Sequence, residues 1–411
     1  MPCFKDFEMR PQTAFRVAAT VKELIASDVD AIHWVDPSEN TKKGFLQDVG
    51  RGAYIYKLHN AVFYPDRALR PSPDFTFPAE FPSLKSNLKF KSDGASLLLT
   101  QGGAIFSESF KWNKLVPAIL SVNDFRRPLF DNLPDIVDDI VAPSFFCDFF
   151  TSHFGHVLID MLGRFWPLTM PEVSDFLKMN FVGSGWLGFR NGNLAAGPNF
   201  FFDIISACGL DQNRLTCITK PTRFSVLYVP SRIAPYFNST GPRYHALMQK
   251  IGLKIAGENP IEACQKVFLS RSKLGPGKRA LCVETEILVE DLFAKRGFEI
   301  VHPQDLALAE QIAKVRDAKW LAGLVGSQMH LAVFSNVPSP KMFRIAPTFH
   351  RVFWDIPIMQ SLGGNLHDFV AADYGVGAEQ DQPWGPKNRS WDISPADLRR
   401  LDQEIAQWLE T

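Results

Sequence analysis

The chain has 411 residues, which predicts two or three domains at about 100–200 residues each. Hydrophobic residues make up 46% and charged residues 21%, enough apolar material to bury large cores, and 44 basic side chains balance 44 acidic ones. That balance excludes a globally basic nucleic-acid binder, so any phosphate recognition has to be local.

No stretch approaches the ~18 uninterrupted apolar residues of a membrane-spanning helix. The charged opening, "MPCFKDFEMR", lacks the apolar segment of a secretory signal. The six cysteines (Cys3, Cys147, Cys208, Cys217, Cys264, Cys282) form no C-x-x-C pair. They read as reduced thiols of a cytoplasmic protein rather than a disulfide framework or a zinc site. Two N-x-[ST] sequons, at Asn238 and Asn388, are read as chance. Phenylalanine is abundant, with 35 copies, clustered at 145–150 and 200–202. Core is the usual fate of Phe; the alternative is peripheral contact with the inner face of a membrane.

In chain order, "GAYIYKLHNAVFYP" and "ASLLLTQGGAIFSESF" predict strands between Gly, Pro and Asp turns. From about 142, helix and strand alternate: a helix opens the region, "MNFVGSGWLGF" begins as a strand, "FFFDIISACG" is a helix ended by Gly209, and "FSVLYVPS" is a buried strand. A helix and a polar, Pro-containing link near 256–264 mark a boundary. Beyond it come strand "KVFLS", helix "VETEILVEDLFAKRG", strand "FEIVHP", helix "DLALAEQIAKVRDA", strand "KWLAGLV", helix "SQMHLAVFSN" and strand "KMFRIAP". A final helix, "ISPADLRRLDQEIAQWLE", has Ser394 at its cap. The pattern predicts an N-terminal mixed α/β extension over 1–140, a Rossmann-like domain over 141–255 and a second one with a C-terminal helix over 256–411. In such sheets ligands sit beyond the carboxyl ends of the strands.

Two segments suit an anion there. "SRSKLGPGKRA" gathers Ser270, Arg271, Lys273, Lys278 and Arg279 just past a strand, where arginine forks and lysine ammoniums match a diphosphate. Its spacing is not that of a P-loop, and a solvated basic loop is the plain alternative. In "GLVGSQMH", Gly326 permits close approach to the backbone, Ser327 can cap the following helix and His330 lies one turn further on. The plain alternative here is a tight turn with His330 as a satisfied core residue.

Earlier in the chain, "SHFGHVLIDMLGRFWPL" places His153, His156, Asp160 and Arg164 within an arc of roughly 80° on an ideal helix, beside an apolar arc of Phe154, Leu158, Met161, Leu162 and Phe165. An i, i+4 His156–Asp160 pair alone supplies too few ligands for zinc. An Asp160–Arg164 ion pair with buried histidines is the structural reading, and a catalytic or acceptor-binding face is the functional one.

These stretches, in this order, resemble glycosyltransferase family 61. Arg271, Arg279, Glu286, Glu310, Gln311, Gly326, Ser327, His330 and Phe334 fall on the family's C-terminal motifs. Phe154, His156, Asp160, Leu162 and Arg164 fall on its "N-[YF]-x-H-[FW]-L-x-D-x-L-x-R" helix. Departures are His153 and Leu331, where the pattern carries asparagine, and Val325, where it carries histidine. The resemblance spans roughly 140–350. It implies a GT-B architecture of two Rossmann-like domains facing a cleft, with inversion at the anomeric carbon and no obligatory metal or other cofactor. The nucleotide-sugar donor, with UDP-sugar the leading choice, is expected on the C-terminal domain and an oligosaccharide or lipid-linked glycan acceptor on the other. Bacterial relatives mostly serve surface polysaccharide assembly, capsule or lipopolysaccharide.

On that reading, His156 is the candidate base and Asp160 its partner or the alternative base. His153 and Arg164 stand on the acceptor side. Arg271, Lys273, Arg279, Gly326, Ser327 and His330 meet the donor, and Glu286 binds ribose hydroxyls or is a plain helix-surface residue. Two other functions compete: a catalytically impaired glycan-binding relative, suggested by Val325 and Leu331, and a metal-dependent hydrolase on the histidine helix.

Overall fold

The computed structural model describes residues 29–34, 54–65, 97–99, 104–106, 119–121, 135–169, 176–186, 188–189, 191–230, 233, 242–257, 265–274, 281–348, 355–372 and 391–411. The chain divides into two compact units, Met1–Leu247 and Met248–Thr411.

The first unit is built on one mixed sheet. Its strands are β1 (Val29–Trp34), β2 (Tyr54–Tyr64), β3 (Leu97–Leu99), β4 (Ala104–Phe106), β5 (Ile119–Ser121), β6 (Asp138–Ile140), β7 (Ser144–Thr151), β8 (Asn180–Trp186), β9 (Leu215–Ile218) and β10 (Thr222–Pro230). The order is β5-β4-β3-β2-β10-β7-β8-β9, with β1 paired to β2 and β6 to β10. The N-terminal strands join the later ones because β2 runs antiparallel to β10, whereas β10, β7, β8 and β9 are mutually parallel neighbours. Chain order reverses beside β7, since β8 lies on one side of it and the later β10 on the other.

β7, "SFFCDFFT", is buried along its whole length, as a strand covered on both faces must be. Phe145, Phe146, Phe149 and Phe150 all lie in the core, so this cluster offers no membrane contact. Register slips between Phe146 and Asp148, and Asp148 adopts φ 75°, a left-handed conformation that aspartate tolerates better than most residues. Gly183 makes the bulge possible: a Cβ there would stand 3.1 Å from the Asp148 carbonyl carbon.

Past β7, α1 runs only from Phe154 to Ile159, and a 3-10 turn follows over Met161–Arg164. Asp160 breaks the helix with φ −123° and ψ −67°. The change of pitch removes Arg164 from the face predicted for it. Its side chain is fully buried, 3.4 Å from the Asp148 carboxylate, and it also donates to the Pro230 carbonyl. The remaining helices of this region are α2 (Asn199–Ala207) and α3 (Pro242–Ala256), within which the two units divide. On α2, Phe201 is buried and Phe200 and Phe202 are half-buried.

The second unit is a parallel sheet of five strands, β11 (Lys266–Leu269), β12 (Glu299–Val301), β13 (Trp320–Leu324), β14 (Lys341–Pro347) and β15 (Asn365–Ala371), in the order β12-β11-β13-β14-β15. Its helices are α4 (Val283–Ala294), α5 (Leu308–Arg316), α6 (Asp355–Ser361) and α7 (Pro395–Glu410). Alternation along the strands sorts the two faces. Phe268, Ala322, Leu324, Phe343, Ile345 and Phe369 join Val289 and Phe293 of α4 and Leu401, Ile405 and Trp408 of α7 in one core. The α7 cap forms as expected, with Ser394 Oγ accepting the Asp397 N–H at 3.1 Å. The segment Ser327–Phe334 is a 3-10 helix rather than the predicted α-helix, and α6 and β15 were not anticipated from the sequence. Among the described residues, no helix is long and apolar enough to cross a membrane.

Removing Arg164 would leave Asp148 buried without its guanidinium. Arg164→Met should therefore lower unfolding free energy by about 3–5 kcal/mol, the usual cost of breaking a buried pair from one side. Denaturant unfolding of the variant against the wild type measures it; a loss well below that range would mean the pair contributes little to stability.

Candidate functional site

In the first unit the ionisable groups gather where α1 leaves β7. His153 is the N-cap, exposed, and its Nδ1 accepts the His156 N–H at a long 3.4 Å. His156 Nδ1 lies 2.6 Å from Asp160 Oδ2; the imidazole is 21% exposed and the carboxylate is sealed. With Nδ1 as the proton donor to Asp160, Nε2 carries the lone pair, the tautomer a general base requires. Asp160 also pushes its surroundings: burial, reinforced by this carboxylate's charge, raises the Tyr244 hydroxyl well above its ordinary pKa. That hydroxyl donates to the Leu158 carbonyl at 2.5 Å and so anchors α1 from α3.

Sequence reasoning missed Trp186. Its ring stands 4.6 Å from the His156 ring in an edge-to-face arrangement, with Phe149 5.3 Å away. The His153 ring is 4.8 Å from that of His156. Trp186 ends β8 opposite Thr151, the last residue of β7. An aromatic at the carboxyl end of the adjacent parallel strand was the available signal. Asp148, which takes Arg164 out of the exposed set, was missed as well. Among the described residues no group of three or more His, Cys, Asp or Glu side chains is placed to hold a metal ion.

In the second unit, the order β12-β11-β13 makes the first and third strands neighbours, with the second on the outside. Chain connections after β11 and β13 therefore leave in opposite directions, and the gap between them is the switch point where such sheets take ligands. The loop after β11 is the basic segment, and the turn after β13 carries Gly326. Arg271 joins the two: its Nη1 donates to the Val325 carbonyl at 3.2 Å. A Cβ on Gly326 would approach that nitrogen to 2.6 Å, so a larger residue there would displace the guanidinium from this position. Burial lowers the Arg271 pKa and the Glu286 charge acts against that; a guanidinium stays cationic in either case.

The other predicted donor residues separate. Lys273 is on the surface, paired with Asp305 at 2.9 Å, an exposed ion pair of small energetic weight. Arg279 and Lys278 lie outside the described residues, as do Asn238 and Asn388. Ser327 does not cap; Gly326 occupies the N-cap position and no side chain bonds there. His330 is buried, its Nδ1 2.7 Å from Asp355 Oδ1. Asp355 Oδ2 accepts from Arg344 Nη1 at 2.8 Å, and Arg344 in turn grips Asp368 at 2.7 and 2.8 Å. Burial alone would raise Asp355; the facing His330 and Arg344 outweigh it and hold the carboxyl below its ordinary range. Val325 and Leu331 are both buried apolar side chains. Glu310 and Gln311 act locally, accepting the Ala307 N–H and donating to the Pro303 and Leu306 carbonyls.

Glu286 is neither an exposed helix residue nor one presented to solvent. It is fully buried, and Oε1 accepts the Arg271 N–H at 2.5 Å with Ser270 Oγ 3.3 Å away. Oε2 is sealed and has no hydrogen-bond partner among the described residues. Burial, the largest influence, raises its pKa.

The second unit is thus a parallel α/β sheet with a cationic side chain, Arg271, at its switch point. The Glycosyltransferase 61 family model matches residues 154–341, from the first residue of α1 to the first of β14, and supports glycosyl transfer as the chemistry. A search among curated proteins returns no match.

The raised Glu286 pKa has a stability consequence. The favourable term is fully present below the ordinary glutamate pKa and is lost as pH rises through the raised folded value. Glu286→Gln is neutral throughout, so its melting temperature should improve relative to wild type as pH is raised through that window. A pH series of thermal melts checks this; a constant difference between the two proteins would contradict it.

Proposed function

We propose that the chain is an inverting, metal-independent glycosyltransferase that moves a sugar from a nucleoside diphosphate sugar, a UDP-sugar first among them, to a glycan or lipid-linked saccharide. The proposal takes the GT-B form, with acceptor chemistry on the first unit and the donor on the second, and a role in surface polysaccharide synthesis. What carries it is the family match over 154–341, which includes both His156–Asp160 and the Arg271–Gly326 switch point.

The chemistry follows from those groups. The acceptor hydroxyl oxygen attacks the anomeric carbon from the face opposite the nucleotide, and the bond to the leaving phosphate breaks. The hydroxyl proton passes to His156 Nε2, while Asp160 holds the imidazole through Nδ1 and stabilises the imidazolium that forms. Charge developing on the diphosphate is met by Arg271, already fixed over the turn, and needs no metal to balance it in this scheme.

Calorimetry with UDP, GDP and CMP in the presence of EDTA tests the donor side. UDP should bind, and Arg271→Ala should weaken it by about 1.5–3 kcal/mol, the range for a hydrogen bond to a charged group. Binding only with a divalent ion, or none at all, would remove the donor assignment. On the acceptor side, His156→Ala should retain UDP affinity and a normal melting temperature while transfer slows by roughly 10²–10⁴. Near-normal turnover in a stable variant would exclude His156 as the base, and binding without any turnover in the wild type would favour the glycan-binding relative.

A further inference from the structure

We infer that Glu286 is a positioning residue for donor binding: from inside the protein it fixes the backbone of Arg271, and through it the guanidinium, at the switch point between β11 and β13. The inference rests on the donor reading above for its effect on ligand, though not for its geometry.

Two successive turns of α4 hold the loop after β11. Glu286 Oε1 accepts the Arg271 N–H at 2.5 Å. One turn later, Glu290 Oε1 accepts the Ser270 hydroxyl at 2.5 Å. Ser270 Oγ in turn accepts the Ser272 N–H at 3.0 Å. The residues just past β11 are thus tied to α4 by a pair of i, i+4 carboxylates. Arg271 is held at both ends: its amide by Glu286, its guanidinium by the Val325 carbonyl at 3.2 Å against the bare backbone of Gly326. A long arginine fixed in this way is preorganised, so less conformational freedom is lost when it meets a phosphate.

Burial decides between this role and a direct contact with ribose. Both the Glu286 side chain and its Oε2 atom are sealed from solvent, so the carboxyl acts on protein groups and not on a ligand hydroxyl arriving from outside. Glutamine retains an acceptor oxygen at the Oε1 position. Alanine removes it and strands the Arg271 amide, and aspartate withdraws the oxygen by one methylene while keeping the charge.

The test compares UDP with uridine, which lacks the phosphates, by calorimetry on Glu286→Gln, Glu286→Asp, Glu286→Ala, Arg271→Ala and the Arg271→Ala/Glu286→Ala double variant. Glu286→Gln should bind UDP within a few-fold of wild type, while Glu286→Asp and Glu286→Ala weaken it about tenfold, the scale of one hydrogen bond. Uridine affinity should not change in any of them. The double variant should bind UDP no more weakly than Arg271→Ala alone, the non-additivity expected of residues acting as one unit. Should Glu286→Ala fail to fold, Glu286→Asp carries the comparison. Loss of uridine affinity in Glu286→Gln, or full additivity in the double variant, would overturn the inference in favour of a direct ligand contact. If the wild type binds neither probe, the donor reading fails, and hydrogen exchange of the Arg271 amide decides the geometry. Protection kept in Glu286→Gln and lost in Glu286→Asp supports the brace; equal protection in all three proteins refutes it.

Discussion

The short hydrogen bond from the Arg271 amide to the buried Glu286 carboxyl ties the loop after β11 to α4 in the second unit. Strand order alone would bring the loops after β11 and β13 to one edge of the sheet, but it would not orient a cation there. The carboxyl holds the Arg271 backbone, and the Val325 carbonyl holds its guanidinium. The guanidinium lies against the bare backbone of Gly326, where an added Cβ would come within 2.6 Å of Nη1. A helix surface, a strand end and a glycine turn, far apart in sequence, become one charged feature.

The first unit reaches a comparable result by a different route. β7 is buried on both faces, and its bulge at Asp148 inserts one extra residue before the strand ends. The Asp148 side chain takes up Arg164, so that of the ionisable residues in the segment only His153 and His156 keep solvent exposure. Asp160, at the break in the helix, stays inside as the partner of His156. A partly exposed imidazole is thus held by a sealed carboxylate, with the Trp186 ring edge-to-face against it and Phe149 behind Trp186.

Both units bury several charges, and two groups of them bring opposite signs together. Arg164 pairs with Asp148, and His330 and Arg344 pair with Asp355, with Asp368 on the far side of Arg344. Such sets add little net stability over apolar packing, but removing one member is costly, so they fix a single arrangement of the elements that carry them. The second set joins the 3-10 helix after Gly326 to β14, α6 and β15, and so steadies the turn against which Arg271 rests.

How far the sequence went can be seen residue by residue. Four of the five strands of the second unit (β11 to β14), the α7 cap at Ser394 and the proximity of His156 to Asp160 were legible, because each depends on spacing within a few residues: alternation, a cap signal, an i, i+4 interval. The position of the basic loop after β11 and of the Gly326 turn at neighbouring strand ends was legible for the same reason, as local composition. What failed were inferences that extended a local rule past a break. Arg164 was placed with the histidines by ideal helical periodicity, but Asp160 ends the helix and Asp148, sixteen residues earlier on β7, claims the guanidinium. His330 and Glu286 carry the right chemistry for a donor, yet Asp355 and the Arg271 amide hold them, and those pairings exist only once β14, α6 and the β11 loop have packed. Residue type and spacing determined which groups were available and near which strand ends. Only the tertiary structure decided which of them face outward, because a polar side chain turns toward whichever partner satisfies it, and that partner is chosen by the fold.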